Sequence, residues 1–246
     1  MTTQKILETG AAALVFAGVF LVGGRFYPMR AFMKSRRGLL SLSAGVSVAY
    51  VFVHLMPELG GARETFVKST SLPHQFDGMI VFLLALLGFL AFYSLDHFTR
   101  VARAEAAQGE PTVDFDAKVL GFGAYVGLVS YLLVNSLENS PLSLATYAFA
   151  MAVHFLTFDH GFRETPGTGY CRRGCFLLAG AALLGWAVGL AVALPPDILA
   201  LMLGFLSGGV IVNSAIAELP SKKDGRFLPF LVGSLVYACV LIATGS

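Results

Sequence analysis

Eight runs of about 20 mainly apolar residues follow one another through this chain of 246 residues. They fall at roughly 9–27, 38–58, 77–98, 116–137, 143–163, 174–194, 197–218 and 226–244. An α-helix satisfies its own backbone hydrogen bonds, so runs of this length cross a bilayer as helices. The composition agrees: 56% of residues are hydrophobic and 13% are charged, against about 25% charged in soluble domains. A soluble domain of this length could not hide so much apolar surface in one core. The first run lacks a small-x-small cleavage site with a polar segment after it, so it reads as a span rather than a signal peptide. The expectation is an all-α membrane protein with one transmembrane domain over 1–246.

The loops set the orientation. Arg25, Arg30, Lys34, Arg36 and Arg37 follow span 1, and Arg100, Arg103 and Lys118 follow span 3. Arg163, Arg172 and Arg173 follow span 5, and Lys222, Lys223 and Arg226 follow span 7. Only Lys5, Arg63 and Lys68 of the 17 basic residues lie on the other side. Basic loops stay cytoplasmic, which puts both termini outside. The regular alternation would fail if one span were miscounted.

Spans 2 and 7 carry related sequences. Leu42-Ser43-Ala44-Gly45-Val46-Ser47-Val48 matches Leu206-Ser207-Gly208-Gly209-Val210-Ile211-Val212 at five of seven positions. Each stretch then runs on to a polar residue, a leucine and a proline: His54-Leu55-Met56-Pro57-Glu58 in one, Glu218-Leu219-Pro220 in the other. The two spans cross in opposite directions, so the pattern predicts an inverted-topology repeat of spans 1–3 and 6–8. Small residues at these positions suit close helix packing in lipid. Chance is the competing explanation, because membrane helices draw on a small alphabet.

Ionisable groups inside spans are costly and usually face a cavity or a partner. His54 and Glu58 are four apart on one helix face, and Pro57 between them should bend the helix. They suit capture of a divalent cation or, equally, a local hydrogen bond at the helix end. His154 lies near the middle of span 5. Asp159 and His160 follow it, but five residues turn a helix by about 500 degrees, so His154 and Asp159 meet on one ion only across a kink. Tyr131 and Asn135 share a face of span 4, and Tyr131 should reach the depth of His154. Asn213 and Ser214 are a further polar pair in span 7. Glu218 near Lys222 and Lys223, and Asp96 with His97 near Arg100, read equally as solvated helix ends.

Several classes find no support. There is no nucleophile motif, phosphate loop or zinc-finger spacing, and Gly121-Phe122-Gly123 has no strand–turn–helix around it. The chain reads as no enzyme, with no required cofactor and no nucleic-acid partner. Cys171 and Cys175 are two ordinary thiols at a helix entrance or, more weakly, a metal pair; with Cys239 they make an odd number.

Taken together, the spans, the His-Leu-Met-Pro-Glu closing span 2 and the Ala-Glu-Leu-Pro closing span 7 resemble the ZIP family of divalent metal transporters. Span 5, with Ala152-Val153-His154 and then Asp159, resembles the family's His-Glu-x-Pro-His-Glu helix, as a divergent member. Phe155, Thr157 and Phe158 stand where that motif has glutamate, proline and histidine, and Tyr131 through Ser136 replace His-Asn-x-x-Asp-Gly in span 4. The resemblance implies import of zinc, iron or manganese through a mid-membrane site, with the ion as cargo, and a homodimer in which one four-helix group moves against another. It nominates His154, Asp159, Asn135, Tyr131, His54, Glu58, Glu218 and His160 as metal contacts. The departures raise the alternative of a ZIP-like protein with a degenerate metal site, which moves another solute or has a structural or regulatory role. Short loops point to a bacterial inner membrane.

Overall fold

A computed structural model describes residues 2–23, 36–70, 78–106, 114–135, 141–163, 173–214 and 226–244. Among them there is no strand. The helices are α1 (Thr3–Val22), α2 (Arg36–Tyr50), α3 (Met56–Ser69), α4 (Met79–Ala106), α5 (Asp114–Asn135), α6 (Pro141–Arg163), α7 (Gly174–Ala191), α8 (Pro196–Asn213) and α9 (Phe227–Thr244). A five-residue π-turn, Val51–Leu55, joins α2 to α3, so the two form one continuous rod. Seven of the resulting rods are long and apolar enough to cross a membrane. The chain is an integral membrane protein. In α5 the described apolar stretch covers Val119–Asn135.

The bend expected at Pro57 takes a specific form. Proline has no N–H to give and its ring collides with the carbonyl four residues back. Here the rod widens by one residue before the proline: the Met56 N–H donates to the Val51 carbonyl, a π-type bond. Pro57 then falls in the first turn of α3, where a missing N–H costs nothing.

The rod also outruns the expected span, which ends at 58. Helix continues to Ser69, over residues read from the sequence as an outer loop. Leu59, Ala62 and Phe66 recur at helical spacing and are buried against Val81 and Ala200. That apolar stripe packs α3 on α8 and α4. On the exposed face, Glu64 and Lys68 pair across one turn at 3.4 Å.

Three helix pairs make the most extensive contacts: α4 with α8, α2 with α9, and α5 with α7. The first two are built alike. A Cβ at Gly45 of α2 would overlap the Phe230 carbonyl oxygen of α9 and lie 2.8 Å from the Ser234 nitrogen. A Cβ at Gly208 of α8 would overlap the Ala85 carbonyl oxygen of α4 and crowd the Phe89 nitrogen. Reciprocally, Gly233 of α9 lies on the Leu42 backbone, and Gly88 of α4 on the Phe205 backbone. Position by position, Gly45, Leu42, Phe230, Gly233 and Ser234 answer to Gly208, Phe205, Ala85, Gly88 and Phe89. The sequence match instead pairs Gly45 with Gly209, one residue out of this register.

α4 and α9 are the most exposed rods, while α5, the α2–α3 rod and α8 are the most buried. The interior is dense with rings. Phe155 of α6 packs edge-on against Phe16 of α1 at 5.1 Å between centroids, and Phe122 of α5 stacks on Phe158 at 4.3 Å.

Candidate functional site

The π-turn places His54 on the interior side of its rod. Its side chain is buried, and its Nε2 lies 3.8 Å from the Glu58 Oε2, on the expected common face. The Tyr50 ring lies 5.1 Å from that of His54, and Tyr147 of α6 closes on Tyr50 at 6.1 Å. His54, Glu58 and Tyr147 line a small cavity with Leu132, Leu133, Leu144 and Leu203. Its volume of about 20 Å³ holds roughly one water-sized particle. Four rods therefore converge on the pair: α2–α3, α5, α6 and α8.

His154 is almost completely buried on α6. Its Nε2 is 3.2 Å from the hydroxyl of Tyr125 on α5. Its ring is boxed by aromatic neighbours: Phe158 edge-on at 5.0 Å, Phe155 at 6.1 Å, and Tyr125 itself. Phe92 of α4 packs on Tyr125 at 5.1 Å from the other side.

The remaining nominated residues have other partners. Asp159, equally buried, accepts a hydrogen bond from Arg163 Nε at 2.6 Å one turn along α6. Because α6 is regular α-helix from Pro141 to Arg163, no kink turns Asp159 toward His154. The Tyr131 hydroxyl, expected at the depth of His154, donates instead to the Val192 carbonyl at the end of α7. Asn135 donates to the Tyr131 carbonyl and, at 3.1 Å, to the Gly189 carbonyl, so it fastens α5 to α7. His160 lies in the last turn of α6. Glu218 falls outside the described residues, as do Ser136 and Cys171.

Among the described residues, no three His, Cys, Asp or Glu side chains gather where they could hold one metal ion. The best two-ligand arrangement is His54 with Glu58. Two ligands each about 2.1 Å from a tetrahedral zinc would sit about 3.4 Å apart. The observed 3.8 Å needs only a few tenths of an ångström of closure.

Four partners escaped the sequence reading. Arg163 had a signal, because it sits four residues after Asp159 on one helix. Tyr50 also had one, being four residues before His54. Tyr125 and Tyr147 had none, since they reach His154 and Tyr50 from other helices. Separately, the buried Ser47, Ser130 and Ser214 hydroxyls and the Asn213 amide nitrogen find no hydrogen-bond partner among the described residues.

Comparison with protein-family models gives no match for this chain, and comparison with curated proteins gives none either.

Proposed function

We propose that this chain is an eight-span, ZIP-like transport protein that moves a divalent metal cation toward the cytoplasm, with both termini outside. Its first protein contact with the ion is the His54–Glu58 pair. The observation that carries this reading is the pair itself: an imidazole and a carboxylate on one face, at a π-turn, over a cavity where four rods converge. Such turns recur at functional sites. An imidazole suits zinc or iron(II), and a carboxylate suits manganese. Two protein ligands bind weakly, which suits transit. Support for the inverted repeat comes from the like-built α2–α9 and α4–α8 interfaces. Assignment to a bacterial inner membrane rests on the short loops, and the homodimer on the family resemblance alone.

A second reading has its own observation. His154 sits in an aromatic box, Asp159 is held by Arg163, and Tyr131 and Asn135 are spent on helix docking. This favours a ZIP-like scaffold whose mid-membrane metal site is gone, and which serves another solute or a structural or regulatory role.

Zinc uptake into proteoliposomes separates the two. On the first reading uptake saturates, and Glu58→Gln or His54→Ala lowers it about tenfold or more, the cost of losing one of two ligands. Uptake equal to that of empty vesicles for zinc, iron(II) and manganese alike ends the first reading and leaves the second.

A further inference from the structure

The Arg163 side chain makes two contacts that belong to different helices. Its Nε donates to Asp159 Oδ2 within α6, and its Nη2 donates to the carbonyl of Phe20 in α1, both at 2.6 Å. Phe20 lies in the last turn of α1, where carbonyls have no partner within the helix. A guanidinium there also meets the negative end of the helix dipole. Asp159 is 1% exposed and Arg163 side-chain atoms 14%, so the charges sit well inside the protein. The chain has made room for them. A Cβ at Gly23, which caps α1, would overlap Asp159 Oδ2 and lie 3.2 Å from its Cγ.

Directly against this cluster lies a ring layer. Phe16 and Phe20 of α1 pack on Phe155 at 5.1 and 5.5 Å, and Phe122 of α5 packs on Phe158 and Phe162. Phe158 touches His154 on the layer's other side. The order along α6 is therefore His154, aromatic layer, charge cluster, helix end.

We infer that Arg163 is a built-in counter-ion that clasps α1 to α6 and shuts the inner side of the His154 region. Its guanidinium takes the place at Asp159 that a cation would need. A cation reaches Asp159 only after Arg163 swings away, and that movement frees the last turn of α1 and its phenylalanines. The assignment of this end as the inner one rests on the transport reading above. The clasp itself rests on the contacts. One arginine makes both of them, because only its planar fork reaches a carboxylate and a carbonyl at once.

Cys175 reports on the clasp. Trp186 of α7 donates to Thr9 of α1 at 3.2 Å. On the eight-span topology proposed above spans 1 and 6 are antiparallel, and eleven residues along each from that contact set buried Cys175, in the first turn of α7, level with Phe20 of α1. In a Cys171→Ser, Cys239→Ser background, maleimide labelling of Cys175 is followed in inside-out vesicles. The wild-type thiol should label slowly, and Arg163→Gln should speed labelling about tenfold or more by populating the opened end. Arg163→Lys should fall between, since it keeps the charge without the fork. Asp159→Asn with Arg163→Gln should label no faster than Arg163→Gln alone, because the two act as one unit. A Cys175 that stays protected in Arg163→Gln, or additive effects in the double variant, overturns the clasp. Should Arg163→Gln fail to fold, Arg163→Lys decides, and wild-type labelling in it overturns the proposal. Labelling does not depend on flux. Faster labelling in a protein that moves neither zinc nor iron(II) nor manganese therefore upholds the clasp while ending the transport reading.

Discussion

At the scale of single residues, the site is a set of choices among partners. His154 has the burial expected of a functional intramembrane histidine, and its neighbours include several rings and the Tyr125 hydroxyl. Such a hydrogen bond contributes about 1 kcal/mol. Tyr125→Phe should therefore lower the melting temperature in detergent by roughly 2–4 °C. An unchanged melting temperature would mean that this hydrogen bond adds nothing to what holds His154. Helical spacing alone puts His54 and Glu58 on one face, as found, and His154 is buried. Sequence reading misplaced the partners, because which hydroxyl meets which imidazole depends on the rotation of neighbouring helices. Tyr131 and Tyr125 are six residues apart on α5. That spacing turns the helix by about 600 degrees, so they face different neighbours. One meets the end of α7 and the other meets His154.

At the scale of helices, the glycines divide into those that touch and those that do not. Gly208 lets α8 approach the backbone of α4 so closely that a methyl group would overlap a carbonyl oxygen. Backbone atoms cannot rotate away as side chains do. Overpacking of this kind typically costs about 1–3 kcal/mol. Gly60 in α3 has nothing near its Cβ position, and there alanine gains up to about 1 kcal/mol of helix propensity. Gly208→Ala should lower the melting temperature and Gly60→Ala should hold or raise it. A fall of equal size in both would sink the packing argument. The stretches matched in sequence, where Leu-Ser-x-Gly recurs, lie on α2 and α8, one helix of each interface. The match missed the register by one residue because two adjacent glycines, Gly208 and Gly209, read alike as letters. Packing separates them: Gly208 meets the α4 backbone, while Gly209 meets the side chains of Phe92 and Tyr125. The length of α3 was hidden for a related reason. Its helix is held by three apolar contacts to other rods rather than by a run of apolar residues, so hydropathy alone ends it at the proline.

At the scale of the whole molecule, span count and charge asymmetry constrain each other. Among the described residues, seven rods qualify as spans by length and apolarity, and the apolar stretch of α5 covers Val119–Asn135. Yet α5 is a 22-residue helix, about 33 Å at 1.5 Å per residue, which covers a hydrocarbon core of about 30 Å. Its apolar part packs closely on α7, where Gly185 and Gly127 meet backbone to backbone. Close small-residue packing is what holds helices together in lipid, and it does not require a long lipid-facing surface. If α5 crosses, both termini lie on one side and every basic loop lies on the other. If α5 lies along the surface, the termini separate and the basic segments after spans 5 and 7 are split from those after spans 1 and 3. Single cysteines in a cysteine-free background distinguish these cases. Lys5→Cys and Thr244→Cys should label with an impermeant maleimide in intact cells, whereas Arg173→Cys should label only after permeabilisation. Labelling of Lys5→Cys and Thr244→Cys on opposite faces would remove the eighth span. It would remove with it the opposed crossing of spans 2 and 7, on which the inverted repeat depends.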